Sequence, residues 1–212
     1  VPMMTPDQIE AHFTRADGEF LCARWGRPIV PVVFGVEDAT LSTIKGAIEL
    51  VVGFAGHKMA ETDPEFGANL MFFFCREWND LVEVPNLDQL VPELRQVVER
   101  LERAEANQYR IFRFDRDGAI CACFVFLRMD AEMSKLPAET IALGQAVQML
   151  ALWSESAFAE TSPLALAKGV PVLRPEIGGV LRAVYDPILP AVAKEKTHAL
   201  RLFARMSKET LS

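Results

Sequence analysis

The chain has 212 residues, half of them hydrophobic and 24% charged, with a net charge of −7 at neutral pH. That balance fits one globular domain with a sizeable core and argues against a disordered polypeptide. Between residues 95 and 116 the arginines are interleaved with Glu and Asp, so the dense basic patch that nucleic acid requires is missing. The sequence has no run of about 18 uncharged apolar residues, so no transmembrane helix is expected.

Thr5-Pro6-Asp7 opens a short helix, with Thr5 as N-cap and Pro6 in the first turn, that runs to about Arg15 and stops at Asp17-Gly18. The β-branched stretch RPIVPVVFGV (27–36) predicts a strand, which Pro28 and Pro31 place at a sheet edge or leave only partly regular. LSTIKGAIELVVGFAG (41–56) spaces Leu41, Ile44, Ile48, Val51, Val52 and Ala55 at helical steps and ends at Gly56. After the loop HKMAETDPEFG comes ANLMFFFC (68–75), short and apolar enough for a central strand with Phe side chains on both faces.

NLDQLVPELRQVVERLERAEAN (86–107) predicts a helix with Leu90, Leu94, Val97, Val98 and Leu101 on one stripe and Pro92 in its first turn. Residues 109–130 predict two strands joined at Asp115–Gly118, where Asp117-Gly118 is a hairpin signal. From about residue 135 onward the pattern is helical. PAETIALGQAVQMLALW is a helix and SPLALAK a short helix or turn. PEIGGVLRAVYDP and AVAKEKTHALRLFARMSK are helices separated by Pro187 and Pro190. Gly178-Gly179 permits close helix packing. The expected fold is α+β, with a mixed or antiparallel sheet of about four to five strands, helices on one side and an all-helical C-terminal third. It forms one domain: an N-terminal helical arm (1–23), a sheet-containing part (24–130) and a helical part (131–212).

Cys22, Cys75, Cys121 and Cys123 have no zinc-site spacing. Cys121 and Cys123 face the same side of a strand and either pair with Cys75 or Cys22 in an oxidising compartment or stay as buried thiols in the cytosol. No signal peptide is visible, and Val1-Pro2 stands where an initiator Met is usual, so the sequence leaves location open between cell envelope and cytosol. The histidines His12, His57 and His198 lie in different elements. His57 follows Gly56 at a helix C-terminus, where the dipole favours its cationic form. Ser154 and Ser156 lack a nucleophile-elbow context, and no phosphate-binding glycine loop exists, which argues against nucleotide cofactors. Glu61, Asp63 and Glu65 form an acidic loop without the regular spacing of a calcium site, and no metal or cofactor is expected.

IALGQAVQMLAL (141–152) carries Gln145 and Gln148 one turn apart on an apolar helix. In a zinc peptidase helix, His at i and i+4 with Glu at i+1 hold the metal and activate its water. Set on Gly144–Gln148, that frame finds glycine and glutamine at the histidine positions and Gln145 at the glutamate position. A glutamine amide neither replaces imidazole well nor accepts a proton near neutral pH.

Several segments carry a likeness. RWGRPIVPVVFG, the helix 41–56, IALGQAVQMLAL and LRAVYDPIL resemble, in order, the opening strand, following helix, central helix and late Leu-Arg-x-x-Tyr-Asp-Pro segment of an uncharacterised bacterial family with a zincin-like, minimal metallopeptidase fold. The likeness spans roughly residues 24 to 205. This chain departs at the central helix: Gly144-Gln145 replaces an acidic pair, Ala151 a glycine, and Trp153-Ser154-Glu155 an Asn-Asp turn.

Many members of that family are exported, so the resemblance implies a cell-envelope location. It also implies a non-catalytic domain acting in binding or recognition, with a protein or peptide laid beside an edge strand. The candidate pocket-lining residues are Gln145, Gln148, Glu155, Arg182, Tyr185 and His57, with no catalytic or metal-ligating residue among them. The competing expectations are a peptidase-like hydrolase with an unrecognised site using His57 or His198, and a cytosolic interaction module with free thiols.

Overall fold

The computed structural model describes residues 4–209, with side chains described to residue 207. Its centre is a four-stranded mixed sheet in the order β2-β3-β5-β4. Strands β2 (Pro31–Phe34), β3 (Leu70–Cys75) and β5 (Ile120–Arg128) run parallel, and β4 (Gln108–Phe114) is antiparallel to β5. All but the last residue of β5 is buried, as its unbroken apolar run requires of a central strand. Pro31 sits at the start of β2, which forms one edge of the sheet as expected; β4 forms the other.

Helices cover both faces, not one. Helix α2 (Asp38–Phe54) crosses from β2 to β3 on the first face, where α5 (Ala138–Leu150) packs beside it over Leu70, Phe72, Cys123 and Val125. The chain leaving β3 turns to the second face instead. There a 3-10 turn (Trp78–Glu83), α3 (Leu87–Leu90) and α4 (Leu94–Arg103) enclose Phe73, Cys75, Phe124 and Phe126 in a second core. Alternation explains the division, since successive phenylalanines of β3 point to opposite faces.

The segment expected to form one helix over 86–107 is two. Val91 has an extended backbone, and Glu93 is left-handed with φ 57°. Pro92 therefore separates α3 from α4 rather than lying in a first turn, because proline disfavours helical backbone in the residue before it.

The outer layer of the first face holds α1 (Pro6–Phe13), α6 (Pro175–Val184) and α7 (His198–Glu209), which add Ile9, Phe13, Ile177, Val180, Leu202 and Met206 to the larger core. Thr5 caps α1 in a capping box with Gln8. At Gly178 and Gly179 an added Cβ would lie 3.0 Å from Phe54 and 3.1 Å from Met206, so this pair does allow close approach of α6 to α2 and α7.

The C-terminal third is not wholly helical. Leu164–Ala167 and Val170–Leu173 form a hairpin, β6 and β7, where a helix or turn was expected. Lys168 (φ 52°) and Gly169 (φ 83°) make its turn, with both central residues left-handed. Before α7 the chain is extended, and β8 (Val192–Ala193) pairs with β1 (Cys22–Ala23). All four cysteines are free and buried; Cys123 stands opposite Leu70 and Cys75 opposite Arg128.

Candidate functional site

Helix α5 lies under the edge strand β4, and the side chain of Arg110 crosses the space between them. Its Nη1 donates to Gln145 Oε1 at 2.5 Å and its Nη2 to Gln148 Oε1 at 2.6 Å. The three-residue spacing puts both amides on one helix face, and a guanidinium, which only donates, turns both oxygens towards itself. The Gln145 amide then donates to Gln108 Oε1 (3.0 Å) and the Gln148 amide to Gly144 O (3.2 Å). Burial lowers the Arg110 pKa, with the nearby Cys123 acting in the opposite direction, and no carboxylate among the described residues pairs with it. The same burial pushes the Cys123 thiol up to about 12. The glutamines therefore neutralise by dipole what an ion pair would neutralise by charge.

At its other end α5 is held by aromatic donors. The terminal carbonyls of a helix lack intrahelical partners. Here Trp153 Nε1 donates to Val147 O (3.1 Å), Trp25 Nε1 to Met149 O (2.8 Å) and the Tyr185 hydroxyl to Leu150 O (2.7 Å). Tyr185 Oη also accepts the main-chain N–H of Trp25 (3.4 Å), and burial raises the phenol pKa above its ordinary value. Tyr185 is thus buried, with its hydroxyl capping the end of α5.

The six candidate residues do not form one site. Gln145 and Gln148 make one pair. His57 and Tyr185 make another, with ring centroids 5.0 Å apart. Glu155 forms an ion pair with Arg15 (2.6 Å), and Arg182 lies over the Phe54 ring at 5.8 Å. The expectation of a cationic His57 is reversed. Its Nε2 contacts Arg27 O at 2.9 Å, but burial, with Arg24 adding to it, pulls the imidazole below its ordinary pKa against the helix dipole.

The acidic loop also has a structural account. Burial alone would raise the Asp63 pKa, but N–H donors from Phe66 and Glu65, the Asn69 amide and Arg27 outweigh it and hold the carboxyl below the usual range. No group of three His, Cys, Asp or Glu among the described residues is placed to hold a metal ion.

A site not anticipated from sequence lies at the carboxyl ends of the parallel strands. The exit from β2 leads to α2 on one face and the exit from β3 to the 3-10 turn on the other, so the backbones diverge and leave a crevice. It encloses about 840 Å³, with Phe34, Met71, Phe73, Leu81, Val84, Leu87 and Leu90 among its apolar lining. Phe34 is 46% exposed and stacks on Phe73 at 5.0 Å, so the open edge of β2 forms one wall. Gly35 makes the exit possible, since its φ is 83° and a Cβ there would sit 2.3 Å from Phe74 O.

Two smaller concavities adjoin the crevice. One of about 470 Å³ shares Arg76 and Met129 with it and adds Glu77, Arg128 and Asp130. Another of about 310 Å³ shares Gly35, Phe74 and Met129 and lies at the N-termini of α2 and α5, neither of which has a side-chain cap. None of the six candidate residues lines these three spaces.

Such a volume and lining suit an apolar ligand fixed by few polar contacts. Comparison with family models, with characterised proteins and with solved structures found no match to this chain.

Proposed function

We propose that the protein is a non-catalytic, zincin-like recognition domain that binds an extended apolar segment of a protein partner. The observation that carries the reading is the 840 Å³ apolar crevice walled by the open edge strand β2. An extended peptide there gains main-chain pairing from the edge and buries alternate side chains in the crevice. The zincin-like part of the reading draws support from the placement of α5, which follows β5 and lies against an antiparallel edge strand. Its non-catalytic part draws support from Gln145 and Gln148, whose oxygens are engaged by Arg110 at the positions a metallopeptidase helix gives to a base and a ligand. No helix among the described residues is long and apolar enough to cross a membrane.

The test is fluorescence anisotropy with a pool of labelled, C-terminally amidated hexapeptides carrying Leu, Val or Phe at alternate positions. Saturable binding is expected, weakened about ten-fold by Phe34→Asp, the scale of losing one buried aromatic contact. Phe34 is 46% exposed, and far-UV circular dichroism of the variant checks that the fold is retained. Absence of binding, or equal binding by the variant, overturns the reading.

A further inference from the structure

We infer that the crevice receives the C-terminus of its partner, with an apolar last side chain between β2 and α3 and the terminal carboxylate on Arg76. The inference rests on the peptide-binding reading above and specifies its ligand.

Two charged side chains line the crevice, Arg76 and Asp80, and their states differ. Asp80 Oδ2 accepts the N–H groups of Arg76 (3.1 Å) and Glu77 (3.0 Å), which fixes the start of the 3-10 turn. The guanidinium of Arg76 is exposed and makes no hydrogen bond or ion pair with any described residue. One cation therefore stands at the edge of an apolar cavity with its donors unmatched.

The adjoining concavity brings in Arg128, whose Nη2 is a long 3.6 Å from Asp130 Oδ2. The carboxylates facing this region are Glu77, Asp80 and Asp130, with Glu37 at the start of α2, and main-chain donors hold the first three. Asp130 Oδ1 accepts from Glu132 N (3.0 Å) and Met133 N (2.8 Å), and Glu77 accepts from the Asp80 N–H in a reciprocal cap. The N-termini of α2 and α5 point to the same edge, but Glu37, Asp38 and Glu139 at those ends offset the dipoles, so the attraction for an anion comes from Arg76 and Arg128.

A planar guanidinium matches a carboxylate with two parallel hydrogen bonds. A peptide terminus supplies that carboxylate next to an apolar side chain and, behind it, the main chain that the free edge of β2 can pair with. A fatty acid supplies the first two features without the third.

The experiment uses labelled hexapeptides ending in Leu, Val or Phe, made as free acids and as amides, with wild-type protein and Arg76→Gln. The free acids are expected to bind about ten-fold more tightly than the amides, the scale of one charge-assisted pair. Arg76→Gln should raise the Kd of the acids to that of the amides and leave amide binding unchanged. Equal binding of acids and amides by the wild type overturns the inference while the crevice reading stands. Failure of both pools to bind overturns the crevice reading itself. Displacement of a bound fluorescent fatty acid by dodecanoate, with no displacement by the acid peptides, assigns the site to an acyl chain and overturns the peptide terminus.

Discussion

At the residue scale the informative group is Arg110, whose guanidinium is partly buried between an edge strand and a helix, with the amide oxygens of Gln145 and Gln148, and at 3.4 Å that of Gln108, as its partners. Removing one acceptor leaves a charged donor unsatisfied, so Gln145→Leu is expected to lower stability by about 1–3 kcal/mol. Arg110→Met should cost a similar amount, because it orphans the Gln145 oxygen. The double variant should lose less than the sum of the two, since the Arg110–Gln145 pair is then removed from both sides and neither change adds to the other's unpaired group, although Gln148 and Gln108 still lose their donors. Urea unfolding of the four proteins measures the coupling, and strict additivity would contradict the arrangement. The spacing of the two glutamines was visible in the sequence, but their partner was not. Arg110 lies 35 residues from Gln145, and the strand register that brings it over α5 is set by pairing with β5. The capping role of Tyr185 was hidden for the same reason: only the fold reveals that its hydroxyl closes the end of α5.

At the element scale, β2, α2, β3 and the β4–β5 hairpin were legible because their signals are local. Those signals are β-branched runs, a clean helical stripe ended at Gly56, and Asp117-Gly118 at the turn, where Gly118 has φ 85°. Two failures have specific causes. SPLALAK reads as a short helix or turn because Leu and Ala favour helix. Lys168-Gly169 turns it into a hairpin, and Leu166 is left 74% exposed. The stripe over 86–107 continues across Pro92 even though the backbone does not.

The crevice was illegible as a site because it arises where two connections part to opposite faces, yet Gly35 directly after a strand was its local trace. Gly35→Ala tests that geometry. The left-handed backbone alone costs about 1–3 kcal/mol for a residue other than glycine. The 2.3 Å approach to Phe74 O adds to it. The expected result is a clear fall in Tm together with weaker peptide binding. Gly46→Ala, in α2 where an added Cβ meets nothing within 4 Å, should leave both unharmed.

On the scale of the whole molecule, two cores share one sheet, and two histidines titrate against burial. His57 and His198 are both held below their ordinary value of 6.5, His57 by burial, with Arg24 adding, and His198 by burial, with Arg201 adding. The unfolded chain therefore binds these protons more readily than the folded one. The stability they contribute is fully present above about pH 6.5 and is lost as the pH falls through their lowered folded values. Guanidinium unfolding at pH 7.5 and pH 5.5 should give a lower midpoint at the acid pH, and replacing His198 with Gln should shrink the difference. An unchanged midpoint in the wild type would mean that neither imidazole is desolvated. Both histidines sit in the larger core region, away from the crevice, so peptide affinity measured where the protein stays folded should not follow this titration.

We propose separate roles for two places: α5 is held by structural contacts, and a partner is recognised at the carboxyl ends of the parallel strands. Amide chemical-shift mapping with the apolar hexapeptide pool tests it most directly. The account predicts shifts at Phe34, Gly35, Cys75, Arg76 and Leu87, with the side-chain amides of Gln145 and Gln148 undisturbed. Shifts centred on those two glutamines and Arg110, with the strand ends silent, would contradict it.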